Sequence, residues 1–526
     1  MLQTSLAFNG TFTAPHREAA YVGRRILDEG GTAMEAMVAA AAMIAVVYPH
    51  MNGIGGDGFW LIHRPGKPLT GISACGQAAA LATPEWYGER GHSHSIPTRG
   101  SEAALTVPGT IGGWKLALSM VDRPGRLPVA DLLAAAVDKA RDGTAVTLSQ
   151  SACTVEKFHE LAGVPGFAEA FLHDGAAPKP GARLRQVQLA DTLERLGRDG
   201  LASYYTGDTA QAHAAFLEKT GSPLRRDDFL AYGARQVKPL HVTTRQGQLF
   251  NMIPPTQGVA SLMILGLFDR LPVEAGEGYD HVHGLVEATK RAFIKRNSSL
   301  GDPDAMDGDA QSWLDEGALD NMAAKIDMAR ALPWPHKPAE GDTIWMGAAD
   351  RYGNVVSFIQ SVYWEFGSGL TCQETGVFFQ NRGAGFSLQP GPNQLQPGKR
   401  PFHTLNPALA YLPDGRIMAY GTMGGEGQPQ TQAAIFTRYA RFGMPLQEAI
   451  TAPRWLLGRT WGASSTNLKL ESRFDPGLVE QLVAAGHDVE MIAPYSDLCG
   501  HAGAVVLNAN GLCEAATDPR SDGAAF

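Results

Sequence analysis

The chain has 526 residues, of which 44% are hydrophobic and 18% charged, enough apolar material for a large buried core. Its formal net charge of -9 leaves no basic face of the kind phosphate-backbone binding needs. Five cysteines (Cys75, Cys153, Cys372, Cys499, Cys513) are too few and too scattered for a disulfide framework or a metal-site spacing.

The N-terminus shows no basic start followed by an apolar run, and the longest apolar stretch, 36–48, is too short to span a bilayer. A cytoplasmic protein without nucleic-acid or membrane partners is expected. Gly30-Gly31 closes a first helix. Thr32 then caps the next, with Glu35 three residues on completing a capping box. Residues 33–47 are nearly all apolar, which predicts a helix buried on most sides. Residues 53–58 read as a loop and 59–63 as a buried strand. Residues 100–240 are mainly helical in pattern, with helices expected over 127–142, 189–200 and 208–220. Residues 239–255 alternate like paired strands around Gln246-Gly247, and helices follow over 259–271 and 281–297. The Pro-rich stretch 331–341 predicts an extended surface linker. Beyond it, 343–349 and 355–361 form a strand pair around a turn at 350–354. A strand at 416–422, a glycine loop, a helix from about 430 to 442 and a hairpin of 504–507 with 512–517 complete the chain.

Several of these stretches carry sequence that matters jointly. They include GGTAMEAMVAAAAMIAVVYPHMNGIGGDGFWLI (30–62), VPGTIGGW (107–114), PPTQGVASL (254–262), LGDPD (300–304), GDTIWMGAADRYGNVVSFIQS (341–361), FGSG (366–369), PGKRPFHTLNPAL (397–409), GTMGGEGQPQTQ (421–432) and DPRSDG (518–523). Together and in this order they resemble the gamma-glutamyltransferase family of N-terminal-nucleophile hydrolases. The resemblance implies an α/β fold of four layers, αββα, made as one precursor that cuts itself before a Thr. Here the bond would be Asp342-Thr343, giving a large chain 1–342 and a small chain 343–526 that together form one domain.

Physical chemistry supports Thr343 as the nucleophile. A Thr hydroxyl needs a base within hydrogen-bond reach, and an interior Thr carries none. Once its own amide is cut it gains an α-amine of unperturbed pKa about 7.7–8.0, close to working pH. Gly424-Gly425, between a strand and a helix, can point two N–H groups at one oxygen, and the resemblance assigns that pair to the oxyanion hole. It also assigns Ser361 to steadying the Thr. Gly353 and Asn354 belong to the hairpin turn.

The expected substrate clamp departs from the family. Where relatives hold a substrate carboxylate with an Arg, this chain has Cys75-Gly76-Gln77-Ala78-Ala79. Gly385 replaces an Asp that holds the α-amine, Tyr363 an Asn, and His403-Thr404 a Ser pair. Loss of two charge-assisted contacts removes most discrimination for a γ-glutamyl group. Tyr363, Arg382, His403 and Thr404 remain as substrate-binding candidates, with Arg382 suited to hold a small carboxylate bidentately. A compact amide acid fits, which points to the oxamate amidohydrolase branch: oxamate to oxalate and ammonia, with no metal or cofactor. A gamma-glutamyltransferase or glutathione hydrolase, a glutaryl-type acylase, and an unprocessed binding relative are the alternatives. A homodimer is left open. Gly53-Ile54-Gly55-Gly56-Asp57-Gly58 fits G-x-G-x-x-G, yet a helix precedes and a strand follows, the reverse of a dinucleotide site. His92-Ser93-His94 as a metal pair and Cys499 with His501 as a thiol centre lack supporting residues.

Overall fold

The computed structural model describes residues 2–122, 126–334, 342–458 and 466–526. Most of the expected Pro-rich linker, 335–341, lies outside the described residues; 331–334 have no regular secondary structure.

Among the described residues two seven-stranded antiparallel sheets carry the fold. The first runs Ser5–Ala7, Cys513–Thr517, Ala502–Leu507, Ile417–Thr422, Ala408–Tyr411, Gly247–Asn251, Leu240–Thr244. The second runs Ala524–Ala525, Gly10–Ala14, Asp342–Asp350, Val355–Tyr363, Asp57–His63, Thr70–Ala74, Arg235–Val237. Strand alternation sorts their side chains into three cores. Ile344, Met346 and Ala348 join the helices Arg17–Asp28 and Ala33–Val47 on one outer face. Ala410, Met418, Tyr420 and Val506 join the helices Gly258–Asp269, Tyr279–Ser299 and Gly427–Phe436 on the other. Trp345, Ala349, Leu409, Ala419 and Val505 fill the space between the sheets. The result is the αββα sandwich that the resemblance implied, built because each sheet is apolar on both faces.

Trp345 locks the two sheets together. Its indole N–H donates to Ser357 Oγ at 3.0 Å, and its ring lies where a Cβ on Gly421 or Gly503 would come within 2.2 or 2.6 Å of it. Only glycine on the opposing strands leaves room for that ring.

Ala33–Val47 is buried at every residue and starts with the predicted capping box. Glu35 also accepts from the Leu127 N–H at 2.7 Å. Asp350, at the hairpin turn, accepts from the N–H of Tyr352 and Asn354 and from the Ala33 N–H at 2.7 Å, so the turn is tied to the helix start. Two of the boundaries that differ from expectation have a visible local cause. The strand expected at 59 begins at Asp57, because its glycine-rich start pairs with Ser361. The helix expected to reach 442 is α-helical only to Phe436 and widens to π geometry over Thr437–Arg441. There the Thr437 hydroxyl donates to Ala433 O and Arg438 grips both oxygens of Glu277. No helix among the described residues is long and apolar enough to cross a membrane.

Candidate active site

Three strands of the second sheet end together, and their last inter-sheet positions fall side by side. Odd-numbered residues of Asp342–Asp350, Val355–Tyr363 and Asp57–His63 face the other sheet, as Trp345, Val355, Ile359, Phe59 and Leu61 show. The same alternation places Thr343, Ser361 and Asp57 on that face. Ser361 pairs with Asp57 across the strands. Opposite Thr343 the register slips: Asp342 pairs with Tyr363 and Ile344 with Gln360, so Ser361 and Val362 together face one residue. This β-bulge bends the strand end where Tyr363 takes φ +84, a left-handed conformation costly for an aromatic residue. The Ser361 hydroxyl oxygen accepts from the Tyr363 N–H at 2.8 Å and fixes that bend.

Just past the bulge, Tyr363 meets Arg382. The guanidinium carbon lies 3.6 Å from the ring centroid, the geometry of a cation held over a π face. Arg382 is 1% exposed and donates weakly to Thr404 Oγ1 and Phe402 O, at 3.3 and 3.4 Å. Among the described residues no carboxylate oxygen lies within 4.0 Å of it, and burial draws its pKa down to about 10.

The facing sheet supplies the glycine loop. Gly424 (φ +115) and Gly425 (φ +50) turn the strand Ile417–Thr422 into the helix Gly427–Phe436. Neither N–H donates to another group among the described residues, and both stand at the positive end of that helix. Gln257 fastens this loop to the pocket wall. Its amide donates to Thr404 O (2.7 Å) and Gly425 O (2.8 Å), while its oxygen accepts from Arg296, which is also paired with Glu426.

His403 turns elsewhere. It packs edge-on against Phe59 and sets Nε2 3.1 Å from Asp57 Oδ2, out of line for a hydrogen bond. Asp57 Oδ1 accepts from the N–H of Gly76 and Gly109 (both 3.1 Å) and from the Gln380 amide (3.0 Å). Burial pushes the Asp57 carboxyl up to about 7, against the pull of those bonds and of Arg382, and burial with Arg382 holds His403 well below its ordinary value.

The residues singled out from the sequence therefore converge: Thr343 beside Ser361, Tyr363 on Arg382, Arg382 on Thr404, and Thr404 bridged to Gly425. Asp57, Gln257, Arg296 and Glu426 are additions from the structure. Asp57 carried a signal, an acid at the head of an otherwise apolar strand, hidden inside a glycine motif. Those glycines serve packing: a Cβ on Gly56 would lie 2.0 Å from Ser361 O. Gln257 carried none, since its partners lie 147 and 168 residues away. His92 pairs with Glu102, and Cys499 is buried with its thiol pushed up to about 12, so neither set-aside motif offers chemistry.

A family profile described as gamma-glutamyltranspeptidase matches residues 19–526. The chain is 54% identical over 529 residues to the oxamate amidohydrolase proenzyme of Klebsiella pneumoniae, covering 100% of this chain and 99% of that one. It is 40% identical over 517 residues to the glutathione hydrolase-like YwrD proenzyme of Bacillus subtilis, covering 97% of each. A cephalosporin acylase from Bacillus halodurans superimposes with a TM-score of 0.92 at 30% identity, covering 100% of this chain and 97% of that chain.

Proposed function

From the premise that this chain belongs to the gamma-glutamyltranspeptidase family, we propose that it is a self-processing amidohydrolase whose nucleophile is Thr343 and whose substrate is oxamate. The bond Asp342-Thr343 breaks first and leaves chains 1–342 and 343–526. The freed α-amine of Thr343 then takes the proton from its own hydroxyl as that oxygen attacks the amide carbon. Gly424 and Gly425 N–H groups receive the developing oxyanion. The amine returns the proton to the leaving nitrogen, ammonia departs, and water attacks the Thr343 ester to release oxalate. Ser361, across the bulge, steadies the nucleophile.

The observation that carries the substrate class is Arg382, a buried cation without a carboxylate beside it among the described residues, walled by Tyr363 and Thr404. A buried guanidinium with no carboxylate beside it suits a small, bidentate carboxylate. A γ-glutamyl group asks for a longer reach and a second clamp, and Cys75 and Gly385 offer neither charge. The Klebsiella relative's activity supports the same choice. Ammonia release from oxamate, malonamate and succinamate, set beside aniline release from a γ-glutamyl anilide, tests it. Oxamate should lead in kcat/KM by at least tenfold, and preference for the anilide would overturn the reading.

Gly424→Ala should lower kcat about 10²-fold with a smaller change in KM, because φ +115 is strained for an L side chain and the donor is misdirected. Steady-state kinetics on oxamate separates the two constants.

A further inference from the structure

Asp57 is an acid built into the wall of this site beside Ser361, and its two oxygens live differently. Oδ1 is saturated by three N–H donors, so the carboxyl cannot rotate away. Oδ2 is buried and, among the described residues, has no hydrogen bond; nor has either ring nitrogen of His403, whose Nε2 stands 3.1 Å off. Buried polar atoms are almost always satisfied, and a single proton shared between Oδ2 and Nε2 would satisfy two of these three. A proton on Oδ2 would need an acceptor, and the neutral imidazole provides one within reach of a small rotation.

Resting on the small-anion reading above, we infer that Asp57 is a positioning residue that takes up one proton as a small carboxylate binds, leaving the Arg382 charge uncompensated for the anion. Asp57 stands beyond 4.0 Å of Arg382 yet close enough to act on its charge, so with Asp57 ionised the two together are close to neutral and attract an anion weakly. With Asp57 protonated, the couple carries +1 and the carboxylate is drawn to the guanidinium. The other groups facing Asp57 do not blur this. Tyr205 and Tyr232 are held well above their ordinary values and the Cys75 thiol is pushed up to about 12, all chiefly by burial, while His403 is held well below its own. Gln380 and the Gly76 and Gly109 amides do not titrate. Between pH 6 and 9 the charge of the site therefore changes through Asp57, whose carboxyl burial pushes up to about 7, and through the Thr343 amine that processing frees. Anion affinity is full below that value and falls as pH rises through it.

The test uses oxalate, the product of the proposed reaction, bound to the processed enzyme and followed by calorimetry in two buffers of different ionisation heat. The wild type should take up almost no proton at pH 6 and about one more at pH 8.5 than Asp57→Asn does. Uptake surviving in D57N belongs to the Thr343 amine. The wild-type Kd should rise above pH 7 about tenfold more per pH unit than that of D57N, whose amide keeps the Oδ1 contacts and can donate to His403 and whose only slope is the amine's. Wild-type binding without pH-dependent proton uptake, equal uptake in the two proteins, or no oxalate binding at either pH each overturns the inference. Hydrolysis of oxamate is read separately by ammonia release, so oxalate binding with the expected uptake but no oxamate turnover would sink the proposed substrate and leave Asp57's role standing.

Discussion

Thr343→Ala should give a protein that migrates as one band of 56.0 kDa instead of two near 36 and 20 kDa, the mass divided as 342 and 184 parts of 526. Its turnover of oxamate should fall by about 10⁴-fold or more, the scale on which removal of a nucleophile acts in other acyl-transfer enzymes. The loss has two layers. Without the hydroxyl no N-to-O acyl shift can open the peptide bond, and without the cut there is no α-amine to serve as base. Thr343→Ser retains both groups and should still divide into two bands, with turnover reduced by the freer rotation of an unbranched side chain. Denaturing electrophoresis with N-terminal sequencing reads the result; two bands from the Ala variant, or a small chain that does not begin Thr-Ile-Trp, would contradict the assignment. The fold should be indifferent to the change, since Ala fits a fully buried site at the end of a strand.

Arg382→Met should raise KM for oxamate about 10²–10³-fold while kcat moves less. Two charge-assisted hydrogen bonds to one carboxylate are worth about 3–4 kcal/mol together, which is that factor in affinity. Met is close to Arg in length and favours an aromatic face, so the contact with the Tyr363 ring is kept. It also removes a desolvated charge, and the melting temperature should hold or rise. A variant with unchanged KM would place the carboxylate elsewhere in the pocket. A variant with lowered melting temperature and proportionally lowered kcat would mark Arg382 as structural.

Much of this molecule was legible in the order of its motifs. The hairpin around Asp350, the capped helix after Thr32 and the strand at Thr343 depend on neighbours within a few residues, and local pattern reports them faithfully. The contacts that make the site depend on distant partners. Arg382 meets Tyr363 only because a bulge opposite Thr343 swings the strand end, and no period in 355–363 announces an extra residue. Asp57 was read as part of a loop because four glycines surround it. Those glycines permit close backbone approach, and burial pushes the carboxyl of the acid among them up to about 7. Gln257 sits in the PPTQGVASL stretch, yet its work of joining Thr404 to Gly425 is visible only when segments 147 and 168 residues away are brought beside it.

Each sheet draws strands from both sides of position 343. In one, Gly10–Ala14 lies between Ala524–Ala525 and Asp342–Asp350; in the other, Ser5–Ala7 and Gly247–Asn251 flank a block of four later strands. The scission proposed at Asp342-Thr343 would therefore yield two polypeptides interleaved like the fingers of clasped hands, with neither piece holding a complete hydrophobic layer. The precursor can find its native pairing as one tethered coil, in a unimolecular reaction. The matured heterodimer, once denatured, must recover the same pairing by collision, so its assembly is bimolecular and in practice a one-way legacy of the uncut chain.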